Sequence, residues 1–202
     1  MSQSNARKPF LNTQTMVRLA ILGAFAFLLT FLVLPLPIFP AFLKLDPSDI
    51  PAIIAALSFG PAGGVLVQLI KCLTDALTSN SGGIGQLANF IAGTAYILPL
   101  GMIYQGKRSL RRYLIGAAFG SLCMIVTACL FNYFVLIPAY AAAFTGGIDG
   151  IIGMASQINA AVVNLETLIL LTLAPFNLLK AVLISLLGYL LYRPLLPLLR
   201  RV

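Results

Sequence analysis

Apolar stretches of helical length alternate with short polar or Pro/Gly-rich breaks along the whole chain. Residues 1–14 are polar and are expected to be disordered or surface-lying. A first helix is predicted from Thr15 to Leu34, where Pro35, Pro37 and Pro40 remove backbone donors and stop it. The next segment, LPLPIFPAFLKLDPSDIP, has too much proline for a helix and too much apolar surface for a solvated loop. It is expected to fold back against the protein. Ser48 or Asp49 can cap a second helix with Pro51 in its first turn, and Gly60-Pro61 ends that helix after Phe59. A third helix from Ala62 to Leu77 runs into a turn of small polar residues at 78–83, and a fourth spans Gly85 to Tyr104. A fifth covers Tyr113 to Ile137, ending at Pro138. After a Gly-containing stretch with room for a short surface helix, the last helix runs from Ile158 to Tyr192, kinked at Pro175.

Composition turns these helices into membrane spans. Of 202 residues, 60% are hydrophobic and 9% charged, which leaves far more apolar surface than a water-soluble core of this size can bury. A hydrocarbon layer about 30 Å thick takes roughly 20 apolar residues per crossing, so the length allows five to seven crossings and no separate soluble domain. Charge selects among them. The net charge of +8 collects in the gaps: Arg7, Lys8 and Arg18 before the first run, Lys107, Arg108, Arg111 and Arg112 in mid-chain, and Arg193, Arg200 and Arg201 at the end. Six crossings with the amino terminus inside put every basic cluster on the cytoplasmic side, as the positive-inside rule requires. The expected architecture is therefore an all-α integral membrane protein of six transmembrane helices with both termini cytoplasmic. It divides into a polar cytoplasmic segment, 1–14, and a single membrane domain, 15–202. The basic residues form no surface for nucleic acid. No small-residue cleavage site precedes the Pro-rich segment, so the first helix reads as retained.

Candidate chemistry is sparse. There is no His, there are five acidic residues, and the three cysteines fit no metal or redox spacing, which leaves hydrolytic and His-based catalysis almost without material. No Gly-x-x-x-x-Gly-Lys-Ser/Thr loop is present, so active transport would need a partner or an ion gradient. No internal repeat is evident. Asp46 and Asp49 share one short segment. They read as a charge balance to Lys44 and a cap on the second helix rather than as a catalytic pair. Lys71 and Asp75, four apart, can pair on one helix face. Lys180 has no acidic residue within helical reach on its own segment, and a lone ammonium in an apolar helix costs about 2.5–3.5 kcal/mol. It is a functional candidate, with snorkelling to an interface as the alternative. Asn89, Asn132, Asn159, Asn164 and Asn177 bring amides into or beside apolar helices, where they can bridge helices or match the edge of a neutral heterocycle. Asn177 and Lys180, at i and i+3, share a face. Ala20 and Ala24, one turn apart with Gly23 beside them, permit close helix approach, inside the bundle or against a partner.

The segment FLKLDPSDIPAIIAALSFGPAGGVLVQLIK resembles the riboflavin-specific S component of energy-coupling factor (ECF) vitamin transporters. GQLANFIAGTAYILPLGMIY, FNYFVLIPAY and APFNLLKAVLISLL extend the resemblance through the fourth, fifth and sixth helices, leaving only the amino terminus and the loop at 141–157 without a counterpart. The resemblance implies a non-enzymatic subunit of a prokaryotic cell membrane. It would bind riboflavin from outside as transported ligand, with no cofactor, and associate with a transmembrane T component and two cytoplasmic ATPases. It also implies ligand contacts at Phe42, Leu43 and Lys44 in the first external loop, Asn89, Asn132, Asn177 and Lys180, and a T-component contact at Ala20 and Ala24. An S component for folate or a thiamine precursor, and a structural membrane protein that transports nothing, are the rival readings.

Overall fold

In a computed structural model of the chain the described residues are 12–34, 36–40, 42–43, 45–79, 82–106, 108–143 and 147–200. They form α1 (Thr13–Leu29), α2 (Ile50–Phe59), α3 (Pro61–Ala76), α4 (Ile84–Gly106), α5 (Leu110–Phe131), α6 (Ile137–Ala143), α7 (Gly147–Ser156), α8 (Leu165–Leu168) and α9 (Ala174–Arg200). Among these residues there is no β-strand, and Leu34 and Leu45 make an isolated bridge. A π-helical segment, Asn132–Leu136, joins α5 to α6, and a second, Ile169–Leu173, joins α8 to α9. Among the described residues three continuous helices are long and apolar enough to cross a membrane: Ile84–Gln105, Leu110–Ala142 and Leu165–Leu195. Helices Thr13–Leu29 and Ile50–Phe59 are apolar but shorter.

The element order matches the sequence reading, and the boundaries differ for identifiable reasons. The first helix stops at Leu29, short of the predicted Leu34, because the chain already turns at Thr30, whose hydroxyl donates to the Phe27 carbonyl. The fifth runs through Pro138 instead of ending there, and the last begins at Leu165 rather than Ile158. Pro138 and Pro175 each sit two residues beyond a π segment. A proline ring clashes with the carbonyl four residues back, and the wider π turn makes the space that lets the helix continue. Asn164 holds the later start: its side chain accepts from the Thr167 N–H at 2.8 Å in a capping box.

The bundle is organised around α2. Every residue from Ile50 to Leu57 is buried, so this helix is apolar on all sides and is enclosed by its neighbours α1, α3, α4 and α9. Its alanines let those neighbours come close. Gly60 ends it with φ +99°, a backbone conformation that side chains rarely adopt, and Pro61 starts α3 at once. The outside of the bundle is equally apolar: Leu122, Val126 and Leu130 on α5, and Val182, Leu186 and Leu190 on α9, are about half exposed at one-turn spacing. A surface of that kind needs lipid as its solvent. The chain is a membrane protein.

Candidate binding site

Two separate apolar clusters divide the interior. The larger contains Leu19, Ile53, Val67, Tyr96, Met124, Ala128, Ala181 and Ile184 among others. The smaller contains Ile137, Ala155, Val162, Leu168, Ile169 and Leu173, with Leu43 and Tyr133 packed on it. Along the helix that begins with α5, Met124 and Ala128 belong to the first cluster, Asn132 follows, and Ile137 belongs to the second. Along the π segment that leads into α9, and along α9 itself, the order reverses: Leu173 lies in the second cluster, then come Asn177 and Lys180, and Ala181 and Ile184 lie in the first. Asn132, Asn177 and Lys180 are all buried, so the seam between two greasy layers is polar.

The first loop reaches this seam. Its Leu34–Leu45 bridge draws it into a hairpin-like fold, in which the Leu34 N–H donates to the Leu45 carbonyl at 2.8 Å. Phe39 packs edge-on against Phe176 of α9, with ring centroids 5.3 Å apart. Leu43 packs against the second cluster. Phe42 is largely exposed, at 41%. Lys44 lies outside the described residues, and with it the expected Lys44–Asp46 balance.

At the end of the loop lies a charge cluster that sequence spacing misassigned. The Lys71 ammonium is 2.5 Å from one Asp49 oxygen, and the Lys180 ammonium is 2.9 Å from the other. Lys180 also lies 3.9 Å from Asp46. Lys71 donates further to Ser48 Oγ at 3.0 Å and to Asn89 Oδ1 at 3.5 Å, and Gln68 Nε2 donates to Asp49 at 3.0 Å. The expected Lys71–Asp75 pair is therefore replaced: Lys71 points to another element, and Asp75 accepts from Gln86 Nε2 at 3.0 Å. Asp49 does stand at the start of α2, but its carboxylate serves the two lysines rather than capping the helix. Asp46 accepts from the Ser48 backbone N–H at 3.0 Å and from its hydroxyl. Lys180 is 6% exposed, which rules out snorkelling. The partners that remove the desolvation cost of its charge lie on the loop and on α2.

Asn132 and Asn177 share one habit. Asn132 Nδ2 donates to the Ala128 carbonyl at 2.6 Å, and Asn177 Nδ2 donates to the Leu173 carbonyl at 2.8 Å. Only the nitrogen of an amide can face a carbonyl, so each Oδ1 is the atom left for another partner. The structure thus joins Asn89 to Lys180 through Lys71 and Asp49, sets Asn177 beside Lys180 on α9, and buries Asn132 at the same seam. Asn159 and Asn164 take local backbone duties instead, Asn159 accepting from the Ala161 N–H at 3.1 Å and Asn164 capping α8.

Sequence reasoning missed Ser48, Asp49, Gln68 and Lys71 as one constellation. The available signal was the scarcity of charge itself, since each ionisable group in an apolar segment needs a partner somewhere. Ala20 and Ala24 are exposed on the outer face of α1, whereas Gly23 is buried, and a Cβ there would sit 2.7 Å from Ile70 of α3. Internal packing is thus the work of Gly23, not of the two alanines.

Residues 14–192 match the family model described as the ECF transporter, substrate-specific component. The riboflavin transporter RibU of Staphylococcus aureus is 35% identical over 187 residues, 93% of each chain. The riboflavin transporter FmnP of Bacillus subtilis is 35% identical over 133 residues, 64% of this chain and 70% of that one. A solved structure of the S component of a bacterial ECF transporter superposes with a TM-score of 0.72 at 34% identity, covering 93% of this chain and 98% of the other. These relatives are transport proteins rather than enzymes. A model match over most of the chain and a shared helical fold lead to one conclusion: the chain belongs to the substrate-specific components of ECF transporters.

Proposed function

We propose that this protein binds riboflavin from outside a bacterial cell membrane and delivers it inward together with a T component and two ATPases. Six crossings carry it, contributed by α1, α2, α3, α4, the helix from α5 to α6 and the helix from α8 to α9, with both termini cytoplasmic. The observation that carries the reading is the polar seam between two apolar layers beneath the first loop, in a chain 35% identical to a riboflavin transporter along 93% of its length.

Riboflavin suits such a seam chemically. Its isoalloxazine ring is flat, neutral and largely apolar, so burial between the clusters supplies affinity, and its uracil-like edge needs an acceptor for its N–H and donors for its carbonyls. The Oδ1 atoms of Asn132 and Asn177 are acceptors, one N–H of each amide being spent on its own helix, and the Lys180 ammonium donates to a carbonyl or a ribityl hydroxyl. Asn89 belongs to the same network through Lys71. Phe42 and Leu43 cover the ligand from the loop, and Lys44 is a further ligand contact implied by the family resemblance. The buried polar residues among the described ones are Ser, Asp, Gln, Lys, Asn and Thr rather than arginine, a set that suits a neutral vitamin over a phosphorylated one. The outer face of α1 around Ala20 and Ala24 receives the T component.

Flavin-fluorescence titration of the purified protein tests this directly. Saturable quenching by one riboflavin per chain, undisturbed by excess folate or thiamine, is the expected result. Absence of quenching at micromolar riboflavin would refute the assignment.

A further inference from the structure

Asp49 is the best-buried acid of the seam, with a side chain 1% exposed, and it divides its two oxygens between lysines of different helices: Lys71 of α3 at 2.5 Å and Lys180 of α9 at 2.9 Å. Its own position is over-determined. Gln68 holds it at 3.0 Å while also donating to the Asn89 carbonyl at 3.2 Å, and Gly93 on α4 makes the room, since a Cβ there would lie 2.1 Å from Gln68 Nε2. Two carboxylates, Asp46 and Asp49, face two ammoniums, so the cluster is neutral. A lysine side chain is long and rotatable, and its ammonium goes where the nearest fixed charge holds it. Take away the Asp49 charge, and Lys180 keeps only the more distant Asp46 while Lys71 keeps only the neutral acceptors Ser48 and Asn89, two like charges in one dry site.

We infer that Asp49 is a positioning residue: its carboxylate, fixed by Gln68 and Lys71, holds the Lys180 ammonium at the seam in the orientation from which it meets the ligand. Asp49 itself does not touch the ligand. The binding consequence rests on the riboflavin reading, and the placement of Lys180 does not.

The test therefore has two arms. In ligand-free protein, acetic anhydride labelling of Lys180 is followed by peptide mass spectrometry in wild type and in D49N/K71M, a pair that keeps the cluster neutral and so spares the fold. Lys180 is expected to react several-fold faster in the variant. In the second arm, riboflavin affinity is measured in a double-mutant cycle of D49N with K180M. D49N is expected to weaken binding at least tenfold in the wild-type background and less than about twofold in K180M, because Asp49 acts only through Lys180. Equal labelling of Lys180 in the two proteins overturns the inference, as does an equal loss of affinity in both backgrounds, the mark of a purely structural carboxylate. Failure of the wild type to bind riboflavin would refute the ligand assignment alone, and the labelling arm would then decide the role of Asp49.

Discussion

Asn177 and Lys180 face the seam from one turn of α9, and the difference between them lies in how each is held. The asparagine is oriented by its own helix, through the Leu173 carbonyl at 2.8 Å, so its free oxygen points where the backbone dictates. The lysine is oriented from outside its helix, by Asp49 at 2.9 Å and Asp46 at 3.9 Å. A hydrogen bond lost in a dry pocket leaves the ligand's group unpaired at roughly 1–3 kcal/mol, or about fivefold to over a hundredfold in affinity. Asn177→Ala and Lys180→Ala are each expected to weaken riboflavin binding at least tenfold in folded protein, as read by fluorescence titration. Wild-type affinity in both would show that the seam is not the site. The identities of these two residues stand out in the sequence because amides and ammoniums are rare in apolar helices. The partner of Lys71 does not, because helical spacing offers only residues on the same helix, and there Asp75 stands four residues away.

Two of the prolines within long helices sit beside a π turn, whereas Pro99 lies inside the continuous α-helix α4. Pro138 and Pro175 each follow a π segment by two residues, and the same two segments flank the buried asparagines: Asn132 opens the first, and Leu173, which accepts from Asn177, closes the second. The proline is visible in the sequence, while the π turn that absorbs it depends on the packing of both sides of the helix. Helix α1 divides its labour by face. Leu19, Gly23 and Ala26 are buried, whereas Val17, Ala20, Ile21, Ala24, Phe25 and Leu28 are exposed. Ala20 and Ala24 put small side chains in the middle of that outward face, which suits the close helix approach proposed for the T component. Ala20→Trp or Ala24→Trp is expected to lower co-purification with a T component several-fold and slow riboflavin uptake, with riboflavin affinity of the isolated protein changed less than about twofold. A comparable loss of affinity would place these alanines in the packing of the bundle instead.

At the scale of the whole molecule, polarity is arranged inside out relative to a soluble protein, with lipid-facing Leu, Ile and Val outside and Ser48, Asp49, Gln68, Lys71 and Lys180 within. Six crossings with cytoplasmic termini predict that Arg108 and the first turn of α5, with Arg111 and Arg112, are inside and the stretch at 78–83 outside. In a background without Cys72, Cys123 and Cys129, Thr78→Cys should react with an impermeant maleimide on intact cells, and Arg111→Cys only after the membrane is opened. Strong labelling of Arg111→Cys from outside would overturn the topology. Composition and hydropathy determined the class and the order of the helices, because each follows from local transfer energies summed along the chain, and the spacing of basic residues predicts this orientation. Which charges meet was decided only by the tertiary fold. Asp49, Lys71 and Lys180 come from the residue before α2, from α3 and from α9, and a dry interior forces them together because none can be buried alone.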